Sequence, residues 1–300
     1  MGFGYSGIDC AERRLTHREA RKERRERFKV FKWGEEMKRV LLSLLGVCLL
    51  AAGVGCTERR APLEAAAQAE RLGRGVNLGN ALEAPEEGEW GMVIEADFFP
   101  TIREGGFDTV RVPIRWSAHA AEEAPYAVDA AFFERVDWVI EAALAEELNV
   151  VINMHHYDPL FESPDEHADR FVAIWEQIAA RYKDRPQGLY LELLNEPHGN
   201  LDAARWNRLM VRTLEAVRAI DPYHTVIVGG ADWGSIDGLR TLILPEETTN
   251  LIVTFHYYEP FLFTHQGAEW VGPEIGTTSV VWPGPPEEPI EPVPEALKAE

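Results

Sequence analysis

The chain has 300 residues, 46% of them apolar and 10% aromatic, which excludes a disordered or collagen-like polymer and fits one large domain or two small ones. Residues 1–39 hold 12 Lys and Arg against 7 Asp and Glu, leaving 18 basic and 43 acidic side chains over residues 40–300. A body that acidic repels phosphate backbones and anionic lipid, so nucleic acid is not an expected partner, whereas neutral or cationic ligands are compatible with it.

In chain order, residues 1–36 come first, Arg-rich and with little to bury. Gly34-Glu35-Glu36 requires codons that look like a ribosome-binding site just ahead of Met37, so translation is expected to start at Met37. Residues 1–36 are then a non-native or disordered basic extension, with a genuine basic arm as the alternative. Residues 37–56 have the form of an export signal: Met37-Lys38-Arg39, an apolar run of 13 from Val40 to Ala52, then small residues up to Cys56. That run is shorter than the roughly 20 residues of a membrane-spanning helix. A cysteine straight after small residues suggests a lipoprotein with its lipid on Cys56. Gly53 stands where such motifs usually carry Leu, so ordinary secretion is the second reading. Either way the protein is expected to be exported, at the cell surface or secreted, touching a membrane only through a lipid anchor. Cys10, Cys48 and Cys56 are the only cysteines, so the body, residues 57–300, is expected to hold neither a disulfide nor a thiolate metal site.

From residue 75 onward, six short apolar and β-branched segments recur: Gly75–Asn80, Phe107–Pro113, Val150–His156, Leu189–Glu196, His224–Gly229 and Leu251–Tyr258. Helix-period stretches lie between them, one carrying Phe133, Val136, Ile140 and Leu144, another Trp206, Leu209, Met210, Leu214 and Val217. Ser163-Pro164-Asp165-Glu166 reads as a helix start, and Asp129 and Asp202 as caps. Alternating strand and helix predicts a parallel sheet covered on both faces, either an open doubly wound sheet or a (β/α)8 barrel. The first turn, Gly-Asn-Ala-Leu, lacks the glycine pattern of a nucleotide-binding sheet. Polar residues cluster instead at the C-terminal ends of the strands, where a barrel keeps its chemistry, so a (β/α)8 TIM barrel is predicted. The 42 residues after Tyr258 are Pro-rich and contain no apolar run long enough for a strand, so the barrel is expected to be incomplete, with about six of eight strands and truncation before strand seven. Poor stability is expected from two open edges.

Leu191-Glu192-Leu193-Leu194-Asn195-Glu196-Pro197 is the most informative stretch, an apolar strand delivering Asn195 and Glu196 to the rim. With Asn77–Pro85, Arg111–Trp116, Val150–Tyr157, Asn195–Leu201 and His256–Tyr258, it resembles glycoside hydrolase family 5, retaining β-glycanases built on a (β/α)8 barrel. It is especially similar to bacterial endoglucanases of that family that also cleave mannans. The likeness runs from about Leu72 to Trp270. It implies a cellulase-type endo-β-1,4-glycanase, with β-linked glucan or mannan as substrate and no cofactor, and a monomeric state is expected. It also implies that Glu196 is the acid/base, that Asn195 contacts the sugar 2-hydroxyl, that Arg111 and Tyr258 hold the nucleophile, and that His155 and His256 line the cleft. The nucleophilic Glu of the family lies at the end of strand seven, and the chain is expected to lack it and to show no turnover alone.

Retaining hydrolysis needs the acid/base protonated near neutral pH, so the surroundings of Glu196 are expected to raise its pKa. Asn80, Glu83 and His156 are candidate sugar contacts; Trp116, Trp233, Trp270 and His265 are candidate platforms. His156 reaches the cleft only if its strand has already ended. No HxH or HExxH occurs, so no metal site is expected. His119 and His167 are expected in solvent, and Glu192 is equally placed to face helices or barrel interior. A catalytically silent carbohydrate-binding surface protein is the alternative function.

Overall fold

The computed structural model describes residues 64–246, 249–268, 271 and 280–282. The basic extension, the export signal with Cys56, Trp270 and the Pro-rich stretch lie outside the described residues.

Six parallel strands run in the order β1 (Gly75–Asn77), β2 (Thr109–Val112), β3 (Asn149–Asn153), β4 (Leu189–Glu192), β5 (Thr225–Gly229) and β6 (Leu251–Thr254), each bonded to the next. The register steps Asn77↔Arg111, Arg111↔Val151, Asn153↔Glu192, Glu192↔Ile227 and Gly229↔Thr254 across the sheet. Among the described residues β1 and β6 do not pair, so the sheet is the open six-strand arc of a (β/α)8 barrel. Helix α1 (Ala65–Leu72) precedes β1; α2 (Phe98–Glu104), α3 (Ala130–Ala145), α4 (Asp158–Glu162), α5 (Pro164–Tyr182), α6 (Ala203–Ile220), α7 (Ile236–Leu239) and α8 (Phe261–Thr264) follow.

Alternation along the strands splits the core in two. Val110, Val112, Val150, Ile152, Leu189, Leu191, Val226 and Val228 point outward and pack with the helices in one large cluster. Val151, Tyr190 and Ile227 point inward and form a small one with Leu72 and Ile252. Helix α1 lies against the strand starts, where the Tyr190 hydroxyl donates to Gln68 Oε1 at 2.8 Å. Three buried indoles then fix the opposite end. Trp116 donates to the Asn153 carbonyl (3.0 Å), Trp175 to that of Leu193 (2.9 Å) and Trp206 to that of Gly229 (2.9 Å). Each satisfies a carbonyl at or just beyond a strand end, where the ladder no longer does. Trp116 is therefore a buried clamp and not the sugar platform expected of it.

Asp129 and Asp202 cap α3 and α6 through the Phe132 and Arg205 amides, both at 2.9 Å. Ser163 stands at the start of α5 with Pro164 next, but its hydroxyl makes no cap bond; the short helix α4 runs into it and its backbone carbonyl takes the Glu166 amide instead. His119 stacks on Phe132 with centroids 3.6 Å apart, and His167 Nδ1 bonds the Tyr157 hydroxyl at 3.1 Å, so neither is a free solvent histidine.

Candidate active site

The strands end earlier than the apolar runs suggest, and the chemistry sits in the first residues of each following loop. β3 stops at Asn153, so His155 and His156 are both free of strand alternation and both turn to the rim, their rings 4.8 Å apart at 83°. β4 stops at Glu192. Glu196 lies four residues beyond, in the left-handed region at φ 47°, a conformation that costs a non-glycine residue about 1 kcal/mol and re-aims its side chain. Leu193 and Asn195 keep the backbone tied: their amides donate to the Ile227 and Met154 carbonyls.

Glu196 is the hub. Its Oε1 lies 2.6 Å from His256 Nδ1, its Oε2 accepts from Asn195 Nδ2 at 3.3 Å, and its carbonyl lies 2.6 Å from His198 Nδ1. The backbone at Gly234, φ 69°, passes over it: a Cβ there would lie 3.8 Å from Glu196 and 3.6 Å from His256. Burial pushes the Glu196 carboxyl up, but the His256 bond and charge, the Asn195 amide and the Arg111 guanidinium outweigh it and hold it below its ordinary range. The expected rise is thus not met; two donors and the Arg111 charge around one half-buried carboxylate overcome desolvation.

Arg111 stands on the inner face of β2. Its Nε and Nη2 grip Glu192 at 2.6 and 2.7 Å, Nη2 also donates to Asn195 Oδ1 at 2.9 Å, and Nη1 to Asn77 Oδ1 at 3.1 Å. Glu192, only 3% exposed, therefore faces the barrel interior. This network settles which way round the Asn195 amide lies: with Oδ1 on the guanidinium, Nδ2 must point toward Glu196.

Asn153 does the same for His155. Its Oδ1 takes the Ile114 amide at 3.2 Å, so its Nδ2 donates to His155 Nδ1 at 3.1 Å, and the imidazole proton sits on Nε2. Burial, then the charges of Arg111, His156 and His256, push His155 down to about 2, so it is a neutral ring. His156 is also lowered, chiefly by burial. Tyr258 lies 6.4 Å from His256 by ring centroid; burial and then the Glu196 charge push its phenol up, so it stays protonated.

The remaining candidates divide. His265 packs 5.2 Å from Tyr258 and stacks on Phe261 at 3.9 Å. Trp233, 56% exposed, stacks on His198 at 3.6 Å and 9°, leaving its other face open. Asn80 is exposed at φ 63°. Glu83 is only 5% exposed, and its two oxygens are occupied by the Asn80 and Ala81 amides, which makes it a turn-former beneath Asn80 before it is a sugar contact. Sequence reasoning passed over Asn77, Asn153, His198 and Trp90. Asn77 and Asn153, polar residues inside apolar strands, were the visible signal for the first two. Among the described residues no cluster of three or more His, Cys, Asp or Glu is placed to hold a metal.

A carboxylate, an amide, a guanidinium, imidazoles and a phenol thus converge at an aromatic-flanked rim, a set able to hydrogen-bond a polyhydroxylated ligand and to exchange a proton with it. The solved endoglucanase Cel5A from Thermotoga maritima is 54% identical, with a TM-score of 0.69 over 69% of this chain and 67% of that one. The same enzyme solved with mannotriose aligns with a TM-score of 0.67 at 55% identity, over 68% of this chain and 66% of that one. Endoglucanase H of Acetivibrio thermocellus is 39% identical over 196 residues, 65% of this chain and 22% of that protein. Endoglucanase C of the same organism is 34% identical over 182 residues, 57% of this chain and 52% of that protein. The chain thus spans between about a fifth and a half of these curated relatives. Residues 71–281 match the family model for cellulase, glycosyl hydrolase family 5, and the chain belongs to that family.

Proposed function

We propose that this chain provides the acid/base side of a retaining endo-β-1,4-glycanase acting on glucan, and on mannan as a second substrate. The observation that carries the reading is the setting of Glu196, whose carboxylate lies between His256 and Asn195 at a rim lined by His155, His156 and Tyr258. Similarity to an enzyme solved with cellobiose and with mannotriose supports both substrate classes.

In double displacement Glu196 gives its proton to the glycosidic oxygen as a second carboxylate attacks the anomeric carbon; Glu196 then takes a proton from the water that releases the sugar. Asn195, its amide oriented by Arg111, donates to the 2-hydroxyl as the ring flattens. His155, neutral with its proton on Nε2, is a fixed donor to a sugar oxygen. The second carboxylate must stand about 5–5.5 Å away, and its anion would oppose the lowering of the Glu196 pKa. Among the described residues the nearby carboxylates are engaged: Glu192 on Arg111, Glu83 on two backbone amides, and Glu259 on the Phe261 amide at 3.2 Å. Residues 1–300 are expected to bind oligosaccharide at this rim. Export through residues 37–56, with Cys56 as lipid attachment site, and a monomeric state complete the proposal on sequence grounds.

A silent carbohydrate-binding protein is the second reading, favoured by the lowered pKa of Glu196, which suits an acceptor better than a proton donor. Reducing-sugar release from β-glucan and mannan by the whole protein containing these residues separates the two. Glu196→Gln is expected to lower turnover by about 10²–10⁴-fold with oligosaccharide affinity kept. Equal turnover in both proteins would overturn the proposal, and no turnover in either, with binding intact, would establish the silent reading.

A further inference from the structure

Trp90 sits in the loop between β1 and α2 with 43% of its surface exposed, although burying a large aromatic is ordinarily favourable. The loop that presents it is tied down. The Glu87 carboxylate accepts the Ile94 amide at 2.9 Å and the Arg135 Nε and Nη2 at 2.7 and 2.8 Å, while Arg135 Nη2 also donates to the Ile94 carbonyl at 2.7 Å. These four bonds close residues 87–94 into a ring held on α3. Gly88 and Gly91, at φ 93° and 84°, turn the backbone on either side of the indole, and a Cβ at Gly91 would meet nothing within 4 Å. A rigid loop that leaves a tryptophan uncovered, in open space, is built to present it.

What it faces is set by one contact. The indole meets the His156 ring edge-on, centroids 5.8 Å apart at 71°, and His156 in turn meets His155 at 4.8 Å. His156 thus links the Trp90 indole to His155 at the rim. In strand order the β1 loop and the β5 loop that carries Trp233 flank the β2–β4 rim from opposite sides. The run of rings from His155 through His156 thus ends on Trp90, at the outer side of the rim.

We infer that Trp90 is the sugar platform of a distal subsite for β-linked hexose chains, reached only by oligosaccharides longer than those that fill the centre of the cleft. The C–H face of a pyranose is apolar and slightly positive, and an indole face is apolar and negative, so the two stack without losing hydroxyl hydration at the ring edge. This inference rests on the glycanase reading of the cleft and assigns its outer end. An aromatic contact of this kind adds about 0.5–1.5 kcal/mol, or about two- to tenfold in affinity.

The test is calorimetric titration of the 300-residue chain and its Trp90→Ala and Trp90→Phe variants with cellobiose, cellotriose and cellopentaose. Trp90 is exposed and its loop is held by Glu87 and Arg135, so neither variant removes a contact that holds the fold. Trp90→Ala is expected to weaken cellopentaose about two- to tenfold while cellobiose binds as in the wild type, and Trp90→Phe to recover most of the loss. Unchanged binding at every length, as expected if the loop instead serves an apolar protein partner, would overturn the inference and leave the glycanase reading standing. An equal loss at every length would overturn it too. If the wild-type chain bound none of the three sugars, the glycanase reading itself would fall and the subsite with it.

Discussion

His155 shows how much one neighbouring amide decides. Asn153 is oriented by the Ile114 backbone and so offers its amide N–H, which fixes the imidazole proton on Nε2 and, with burial, holds the ring neutral down to about pH 2. The unfolded chain takes up a proton on this ring near its ordinary value of 6.5, while the folded chain does not. The His155 contribution to stability is therefore complete above pH 6.5 and is lost progressively as the pH falls towards 2, by up to about 1.4 kcal/mol per pH unit. Urea midpoints measured from pH 7 to pH 4 should fall, and His155→Gln should flatten part of that slope; an unchanged slope would mean His155 is protonated in the folded chain. Of this constellation, His155, Asn195, Glu196, His256 and Tyr258 were legible in the sequence because each stands at the end of an apolar run within a recognisable motif, and Arg111 because it is a charge between Val110 and Val112 inside one. Glu192 was not, since the direction of a side chain inside a four-residue strand depends on where pairing starts. The pKa of Glu196 was misjudged because the expectation followed what catalysis needs, whereas the closeness of the His256 and Asn195 donors that lower it is set only in the folded chain.

The elements deliver these residues through short strands and tight loops. The three indole clamps of Trp116, Trp175 and Trp206 end β3, β4 and β5 where the carbonyls need partners, and the loops that carry the candidate site begin there. Strand and helix positions were readable from apolar periodicity, but every strand end except that of β5 was overrun, by one to four residues, because loop residues such as Leu193 and Leu194 are buried as fully as strand residues. The loop after β5 is tighter still. A Cβ on Gly238 would fall 1.9 Å from the Ala231 carbonyl oxygen and one on Gly230 would fall 2.4 Å from the Gly238 carbonyl carbon, so this turn closes only with bare backbone at both places. Gly238→Ala should force α7 away from the strand end and displace Trp233, costing roughly 1–3 kcal/mol by analogy with overpacked cores. Thermal melts report the destabilisation and Trp233 fluorescence the displacement; wild-type values for both would show that the turn has slack.

At the scale of the whole molecule the sheet is unevenly protected. β3, β4 and β5 are buried along their full lengths, whereas β1 and β6 are half-exposed and unpaired on their outer sides among the described residues. Between these edges lies an open cavity of about 410 Å³ whose walls include Asn77, Arg111, Glu192, His256 and Tyr258. Amide hydrogen exchange on residues 1–300 should therefore be slow in β3 and β4 and fast in β1 and β6, since edge strands open without breaking the core. Uniform protection across all six strands would contradict the open arc. The arc itself was legible from six regularly spaced apolar runs and from polar residues gathered at one end of each. The central claim, that Glu196 exchanges a proton with the glycosidic oxygen and then with water, is tested most directly by Glu196→Ala in the whole protein that contains these residues. With an aryl β-cellobioside whose leaving group needs no proton, the variant should form the glycosyl-enzyme and stall, and azide should restore turnover by entering the vacated space and yielding the β-glycosyl azide. Hydrolysis of cellotetraose at the wild-type rate by the same variant, or indifference to azide, would contradict the account.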